Sequence, residues 1–412
     1  MSGKLSEELE RLGADVLVVL GAHGEDADLA AFAGAAKLGD AFVVAPRGGA
    51  PRLAYLSPME REEAAATGLA LLAPEQLDVG RIARERPQAG AFLAAVLARG
   101  LEQAGVAPGR VALAGSWPAG VLVEACAELG GGGWSFVSGS EAMRRARKAK
   151  RAGELAEIRR VTTAVGEAFA AVARLLAAAS VRAGELWVEG ERLRVARLKR
   201  EVALLFAGHG LSQPRANIVS PAEEGAVPHT AGTPERVLRA SEALIVDLFP
   251  KGLLFSDATR TFCVGSPPEP LARAHGDVRE ALRRAHSGAR AGAHGWDLQQ
   301  ATCALLGERG WPTPVSAPGT LRGYVHGLGH GVGYELHELP SFRKEAGEDA
   351  RLAEGDVITI EPGLYEPGPG GFGVRLEDLV WLGPEGPENL TPWPHELDPN
   401  AWAGGQRAAP GR

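Results

Sequence analysis

The stretch from Gly323 to Glu338 reads GYVHGLGHGVGYELHE, and three of the chain's ten histidines, His326, His330 and His337, lie in it. Glycine recurs at 323, 327, 329, 331 and 333. A helix tolerates this poorly, because each interior Gly costs about 1 kcal/mol relative to Ala. The pattern predicts extended backbone that another backbone or a ligand approaches closely. The histidines are therefore not expected on one helix face, as the zinc motif H-E-x-x-H requires. His337-Glu338-Leu339-Pro340 lacks the second histidine of that motif. His330 stands between two glycines, so the backbone can bend to aim its imidazole. Val332 to Leu336 reads as strand, after which His337 faces elsewhere.

Carboxylates occur on both sides of this stretch. Asp247 and Asp257 lie in ALIVDLFPKGLLFSDATRTF, two apolar strands around a Pro-Lys-Gly turn signal, which predicts a β-hairpin. Their separation of ten puts the midpoint at Gly252. A three-residue loop there would oppose them directly, with Cβ atoms ~5 Å apart. Two like charges so close repel unless a cation lies between them. Taken alone, the pair reads equally as two unrelated strand-end aspartates. In DVITIE, alternation puts Val357, Thr359 and Glu361 on one face of a strand. Val374 to Trp381 reads as one more strand, with Arg375 and Glu377 sharing a face, either as an ion pair or with Arg375 orienting Glu377. Oxygen donors with one imidazole suit manganese, cobalt or zinc rather than copper. Such a set can hold two divalent ions, and two ions ~3.5–4 Å apart can generate a hydroxide and clamp a tetrahedral intermediate.

The chain has 412 residues, too many for one ordinary core, and two to three domains are expected. A net charge of −7 gives no support to nucleic-acid binding. Cys126, Cys263 and Cys303 form no C-x-x-C, so no disulfide framework or thiolate metal site is expected. The first apolar run, Ala14 to Leu20, is too short for a membrane span and lacks a signal peptide's basic flank. A reducing, cytoplasmic location is expected.

Before residue 150, strand-like runs at Val16 to Leu20, Ala41 to Ala45 and Val111 to Ala114 alternate with helical spacing at Arg81 to Gln103 and Pro118 to Leu129, which predicts an α/β domain. The basic cluster Arg144, Arg145, Arg147, Lys148, Lys150 and Arg151 reads as a solvated linker rather than an anion patch. A long amphipathic helix from about Glu154 to Ala179 opens the second domain, with Ile158, Val161, Val165, Phe169, Val172 and Leu176 inward. Strands are expected at Leu204 to Phe206, Asn217 to Val219 and in the aspartate hairpin. Helices are expected from Glu269 and from Trp296, the latter capped by Asp297. The tail after Pro384 reads as surface coil.

GHGVGYELHE, TIEPGLY and GVRLED, following an aspartate-bearing hairpin, resemble the pita-bread metallopeptidases, the family of methionine aminopeptidase, aminopeptidase P and prolidase. The α/β front part is similar to that of the creatinase, prolidase and aminopeptidase P branch. The resemblance implies an α/β N-terminal domain of creatinase/prolidase type over residues 1–150 and an α+β pita-bread catalytic domain over 151–412. It implies Asp247, Asp257, His330, Glu361 and Glu377 as ligands of two divalent metal ions, manganese first, cobalt or zinc as alternatives. It implies His229, His337 and Glu361 as catalytic residues: the histidines steady the oxyanion and Glu361 shuttles the proton. His326 would lie near the substrate. Arg343 and Arg351 fall where the dipeptidases carry a basic group for the substrate carboxylate.

The Asp247–Asp257 spacing is one residue shorter than the family's usual hairpin. DLAAFAG at Asp28 to Gly34 matches the front domain's Asn-Tyr-Leu-Thr-Gly-Phe signature only loosely. The implied activity is a cytoplasmic, homodimeric exopeptidase that cuts between an N-terminal residue and proline in small peptides, binding neither nucleic acid nor membrane. An aminopeptidase without proline preference and a non-catalytic binding or chaperone relative are the alternatives.

Overall fold

The computed structural model describes residues 2–21 and 26–404. They divide into two compact units, Met1–Arg147 and Lys148–Arg412, where the sequence placed a boundary at 150/151. The first unit is built on a six-stranded sheet in the order Ala70–Leu72, Arg52–Tyr55, Ala41–Pro46, Val16–Gly21, Arg110–Ser116, Ser135–Ser138. Val16–Gly21 runs parallel to Arg110–Ser116 and antiparallel to Ala41–Pro46. Every residue of the Val16–Gly21 strand is buried, as a central strand covered on both faces requires. The span read as one helix over Arg81 to Gln103 is two helices, Val79–Glu85 and Ala89–Gln103. Pro87 lies between them, and a proline ends a helix at the residue before it. Ile82, Val96 and Leu97 are buried and Phe92 is half-buried.

In the second unit the helix Ala152–Ala177 buries Ile158, Val161, Val165, Phe169 and Val172 completely. Their three- and four-residue steps form one face, which packs in a core with Val246, Leu248, Ala258 and Phe262 of the aspartate hairpin. Ile218–Pro221, Leu244–Leu248 and Ala258–Phe262 form an antiparallel three-stranded sheet. A five-stranded sheet runs Glu338–Ser341, His330–Gly331, Val357–Ile360, Asp378–Gly383, Gly386–Asn389. Gly363–Glu366 and Phe372–Arg375 pair separately. Among the described residues no helix is long and apolar enough to cross a membrane.

Several expectations of this unit are corrected. Leu204 to Phe206 belongs to the helix Val195–Gly208, whose inward residues Val195, Leu198, Val202 and Phe206 keep helical spacing. Val374 to Trp381 is two strands in two sheets, interrupted at Leu376 and Glu377. Val332 to Leu336 is a series of bends rather than a strand. The Gly295–Glu308 helix is preceded by His294, with Asp297 inside its first turn. The tail adds the edge strand Gly386–Asn389. The basic cluster is not all solvated: Arg147 and Lys150 are buried, Arg147 against Asp28 at 2.9 Å and Lys150 against Glu338 at 2.5 Å.

Candidate metal centre

The hairpin register fixes the aspartates. Asp247 pairs with Thr259, and Leu248 with Ala258. The ladder stops there, because residues 249–257 make a wide loop with a Lys251–Phe255 bridge instead of a three-residue turn. Asp257 is thus diagonal to Asp247 rather than directly opposite, which corrects the expected register. The two still share a face, since Asp257 lies two residues from the partner of Asp247.

The glycine-rich stretch brings His330 to these carboxylates. A Cβ on Gly329 would overlap the Thr359 carbonyl, and one on Gly331 the Leu339 carbonyl. Only glycine lets the two neighbouring strands close in on either side of His330. The His330 amide donates to Thr359 Oγ1 at 3.1 Å. Its ring Nδ1 donates to the Gly331 carbonyl at 3.1 Å, which leaves the Nε2 lone pair outward, the tautomer a metal ligand needs. Nε2 lies 3.4 Å from Glu361 and 3.8 Å from Asp257. Donor atoms of Asp257, His330 and Glu377 all lie within 4.8 Å of one another.

The electrostatics are those of buried carboxylates gathered around an imidazole. Burial, reinforced by the charges of Glu377, Asp247 and Glu361, pushes the Asp257 carboxyl well up. Burial, with the charges of Glu361 and Asp247, pushes Glu377 well up. Burial lifts Glu361 to about 8, with Arg375 opposing and Asp247 adding. Burial, with His337 nearby, drives His330 down to about 3. One oxygen of Asp247, Oδ1, is buried with no hydrogen-bond partner, a cost that proteins rarely carry unless a ligand satisfies it. Gathered carboxylates, a neutral imidazole with an outward lone pair and an orphaned oxygen fit divalent-cation ligands.

Arg375 is fully engaged, and not with Glu377 as expected. It donates to Asp247 Oδ2 at 2.6 Å, Tyr365 Oη at 2.8 Å and Thr259 Oγ1 at 3.2 Å. Thr259 Oγ1 in turn donates to Glu377 Oε2 at 2.7 Å. Arg375 therefore reaches Glu377 only through a hydroxyl, because the chain changes sheets between the two residues. Tyr365 donates to His326 Nε2 at 2.9 Å, whose Nδ1 donates to the Gly327 carbonyl. Burial and the Arg375 charge lower His326 to about 4.

His337 is exposed, its ring centroid 4.2 Å from that of His330. Desolvation on the ring's packed side, then the charges of Arg215 and His229, lower its pKa, while Asp247 opposes and Arg343 adds. His229 is also exposed, after the short helix Ala222–Gly225. Arg343 is exposed at the start of the turn Lys344–Ala350. Arg351 is held by Glu348 at 3.0 Å and the Gly292 carbonyl at 3.3 Å. Arg215, Thr259 and Tyr365 were not singled out from sequence. Tyr365 lay within TIEPGLY and could have been suspected; an exposed loop arginine such as Arg215 carries no signal.

The carboxylate–histidine cluster lies where three antiparallel sheets meet, the architecture of the pita-bread fold. The chain belongs to the metallopeptidase family M24, whose pattern matches residues 156–384, more than half of its length. A Xaa-Pro dipeptidase of Pyrococcus furiosus is 35% identical over 214 residues, 51% of this chain and 56% of that protein. A probable dipeptidase PepE of Mycobacterium tuberculosis is 29% identical over 264 residues, 63% of each. The chain thus matches less than two thirds of the length of these relatives. Among solved structures, the prolidase of Pyrococcus horikoshii superposes with a TM-score of 0.73 at 22% identity, covering 96% of this chain and 99% of that one. The X-Pro aminopeptidase of Thermotoga maritima gives 0.70 at 21% identity, with 96% and 99% coverage. These likenesses show the fold over both units.

Proposed function

We propose that this chain is a metal-dependent exopeptidase that hydrolyses the bond between an N-terminal residue and a following proline. The observation that carries the reading is the convergence of Asp257, His330 and Glu377 within 4.8 Å, with Glu361 3.4 Å from His330 and an orphaned Asp247 oxygen beside them. Asp247, Asp257, His330, Glu361 and Glu377 would hold two divalent ions, manganese first, with cobalt or zinc as alternatives. Such ions, when bound, supply Lewis-acid activation of water and of the peptide carbonyl.

The remaining work falls to the chain's own side chains. Glu361, half-buried at the cluster's edge, accepts the proton of the attacking water and returns it to the leaving nitrogen. That nitrogen belongs to an imide without a hydrogen, so protonation is what lets it leave as an amine. His337 and His229 donate to the charge that develops on the carbonyl oxygen. His326, oriented by Tyr365, borders the substrate. Arg375 holds Asp247 in place through its 2.6 Å contact with Oδ2. Arg343, exposed near His337, is the candidate for the substrate carboxylate; the contacts of Arg351 make it the weaker one. The likeness to the Xaa-Pro dipeptidase of Pyrococcus furiosus supports proline at the second position. A cytoplasmic homodimer and the domain limits 1–150 and 151–412 are part of the same reading.

Stripped enzyme should be inactive and regain activity with manganese, cobalt or zinc. Hydrolysis of Ala-Pro, Ala-Pro-Ala and Ala-Ala-Ala separates the possibilities. Cleavage of Ala-Pro alone marks a dipeptidase, and cleavage of Ala-Pro-Ala an aminopeptidase. Equal cleavage of Ala-Ala-Ala removes the proline preference. No cleavage by protein shown to hold two metals overturns the enzymatic reading.

A further inference from the structure

The bend between His330 and the strand Glu338–Ser341 has almost no regular structure of its own, yet it carries His337. What holds it lies at the start of the second unit. Lys150 Nζ is 2.5 Å from Glu338 Oε1, and both side chains are fully buried. Lys150 Nζ also donates to the Lys148 carbonyl at 2.6 Å. The other Glu338 oxygen accepts from the Glu335 amide at 3.4 Å, which closes the turn containing His337. Gly333 leaves the room for this pair: a Cβ there would overlap Glu338 Oε1 and crowd the Lys150 stem. A second tie runs from Tyr334, whose hydroxyl donates to Glu154 Oε1 at 2.9 Å, and Glu154 is itself paired with Arg151. The Gly333 carbonyl accepts from the Phe255 amide at 2.8 Å, two residues before Asp257.

We propose that Lys150 is a positioning residue for catalysis: its buried ion pair with Glu338 sets the bend that aims His337 at the reaction centre. The argument rests on what a buried ion pair is for. Taking two charges out of water costs so much that a well-packed apolar pair is often as stable or more so. Such a pair is therefore a poor device for stability, but its short, directional contact fixes one geometry. Here that contact is made by the residue next to His337, on a segment without a sheet ladder to hold it. Sequence reading treated Lys150 as linker because its partner lies 188 residues away.

The inference rests on the proposed role of His337, and the test separates the two. Lys150→Met alone removes the ammonium 2.5 Å from the buried Glu338 carboxylate and can destabilise the chain. The informative protein is the double variant Lys150→Met/Glu338→Leu, loaded with metal. Its melting temperature and metal content should equal or exceed those of the parent. Its kcat on an X-Pro peptide should fall ~10–100-fold, within the range a lost oxyanion contact allows, with KM nearly unchanged. Adding His337→Ala should then cost little more, whereas the same substitution in the parent costs its full factor. Lys150→Arg should restore part of the rate lost in Lys150→Met. A stable double variant with parental kcat, or a full additive loss from His337→Ala, overturns the proposal. If the parent cleaves no X-Pro peptide, the functional reading fails instead. The positioning is then read from the ring signals of 13C-labelled histidine, which should move for His337 in the double variant and stay put if the pair is only structural.

Discussion

Glu377 and Asp378 are neighbours in sequence, equally buried, and opposite in electrostatic circumstance. Glu377 faces other carboxylates and accepts one hydroxyl hydrogen bond. Asp378 faces cations and donors. Arg260 reaches it at 2.8 Å, His286 at 3.0 Å, His395 at 3.2 Å, Asn389 at 2.9 Å and Thr391 at 3.1 Å. Burial works against ionisation at both. At Asp378, Arg260 and the hydrogen bonds from His286 and His395 overcome it and hold the carboxyl well below the usual range. At Glu377, burial and the charges of Glu361 and Asp247 push it well up. The protein evidently can satisfy a buried carboxylate completely. That it does so at one residue and leaves the adjacent one frustrated marks the second as a place where a cation is to come from outside.

The sharpest way to break the contrast is Asp378→Ala. It strands Arg260, which is 1% exposed, and should cost roughly 3–5 kcal/mol of stability, measured by denaturant unfolding of stripped protein. A loss below about 1 kcal/mol, the median worth of a surface pair, would show that Asp378 is not the structural member of the two. Next come the histidines. His330→Ala should lose at least one metal together with most activity. His337→Ala should keep both metals and lose ~10²–10³-fold in turnover. Metal counting beside initial rates decides this, and the reverse pattern would invert the two roles.

A third carboxylate sharpens the comparison from outside the cluster. Asp356 is completely buried, pairs with Lys148 at 3.3 Å and leaves Oδ1 without a partner. Burial raises its carboxyl to about 6 despite Lys148. A carboxyl raised on folding favours the native state only while protonated, so its contribution is lost as pH rises from about 4 to about 6. Asp356→Asn should therefore be more stable than the parent at pH 8 by up to about 3 kcal/mol, with no difference at pH 4. A constant difference across that range would contradict it. The smallest effect expected is from Glu377→Gln in stripped protein. Removing one of several repelling charges should raise the melting temperature by roughly 2–4 °C, while metal should no longer stabilise the variant as it does the parent.

Much of this centre was legible because its residues come with local patterns. His330 is announced by alternating glycines, Glu361 by an apolar strand ending at Pro362-Gly363, and the aspartates by a hairpin. The partners were harder to read. Arg375 was matched with Glu377 because alternation puts them on one face. The chain leaves one sheet and joins another between them, so Arg375 meets Asp247, 128 residues away. The aspartate register failed for a similar reason: sequence spacing gives a midpoint, but the loop chose a wider turn and shifted every pair. Lys150 looked like linker because a single charge bears no mark of its distant counter-ion. In the first unit the strands were legible from unbroken apolar runs. The split of the 81–103 segment was signalled by Pro87 and overridden by the helical spacing on either side.

The hydroxyl of Thr259 has one hydrogen and two claimants, Arg375 Nε and Glu377 Oε2. A guanidinium has no lone pair to offer, so the hydrogen can point only toward Glu377. The rotor is locked without any steric wall. The contact works as a relay between two charges: the Arg375 cation favours the Glu377 carboxylate, and the Glu377 charge in turn favours the Arg375 cation. Valine at 259 would keep the shape and remove the relay. Serine would keep the relay and lose only the β-branch that stiffens the side chain's first torsion.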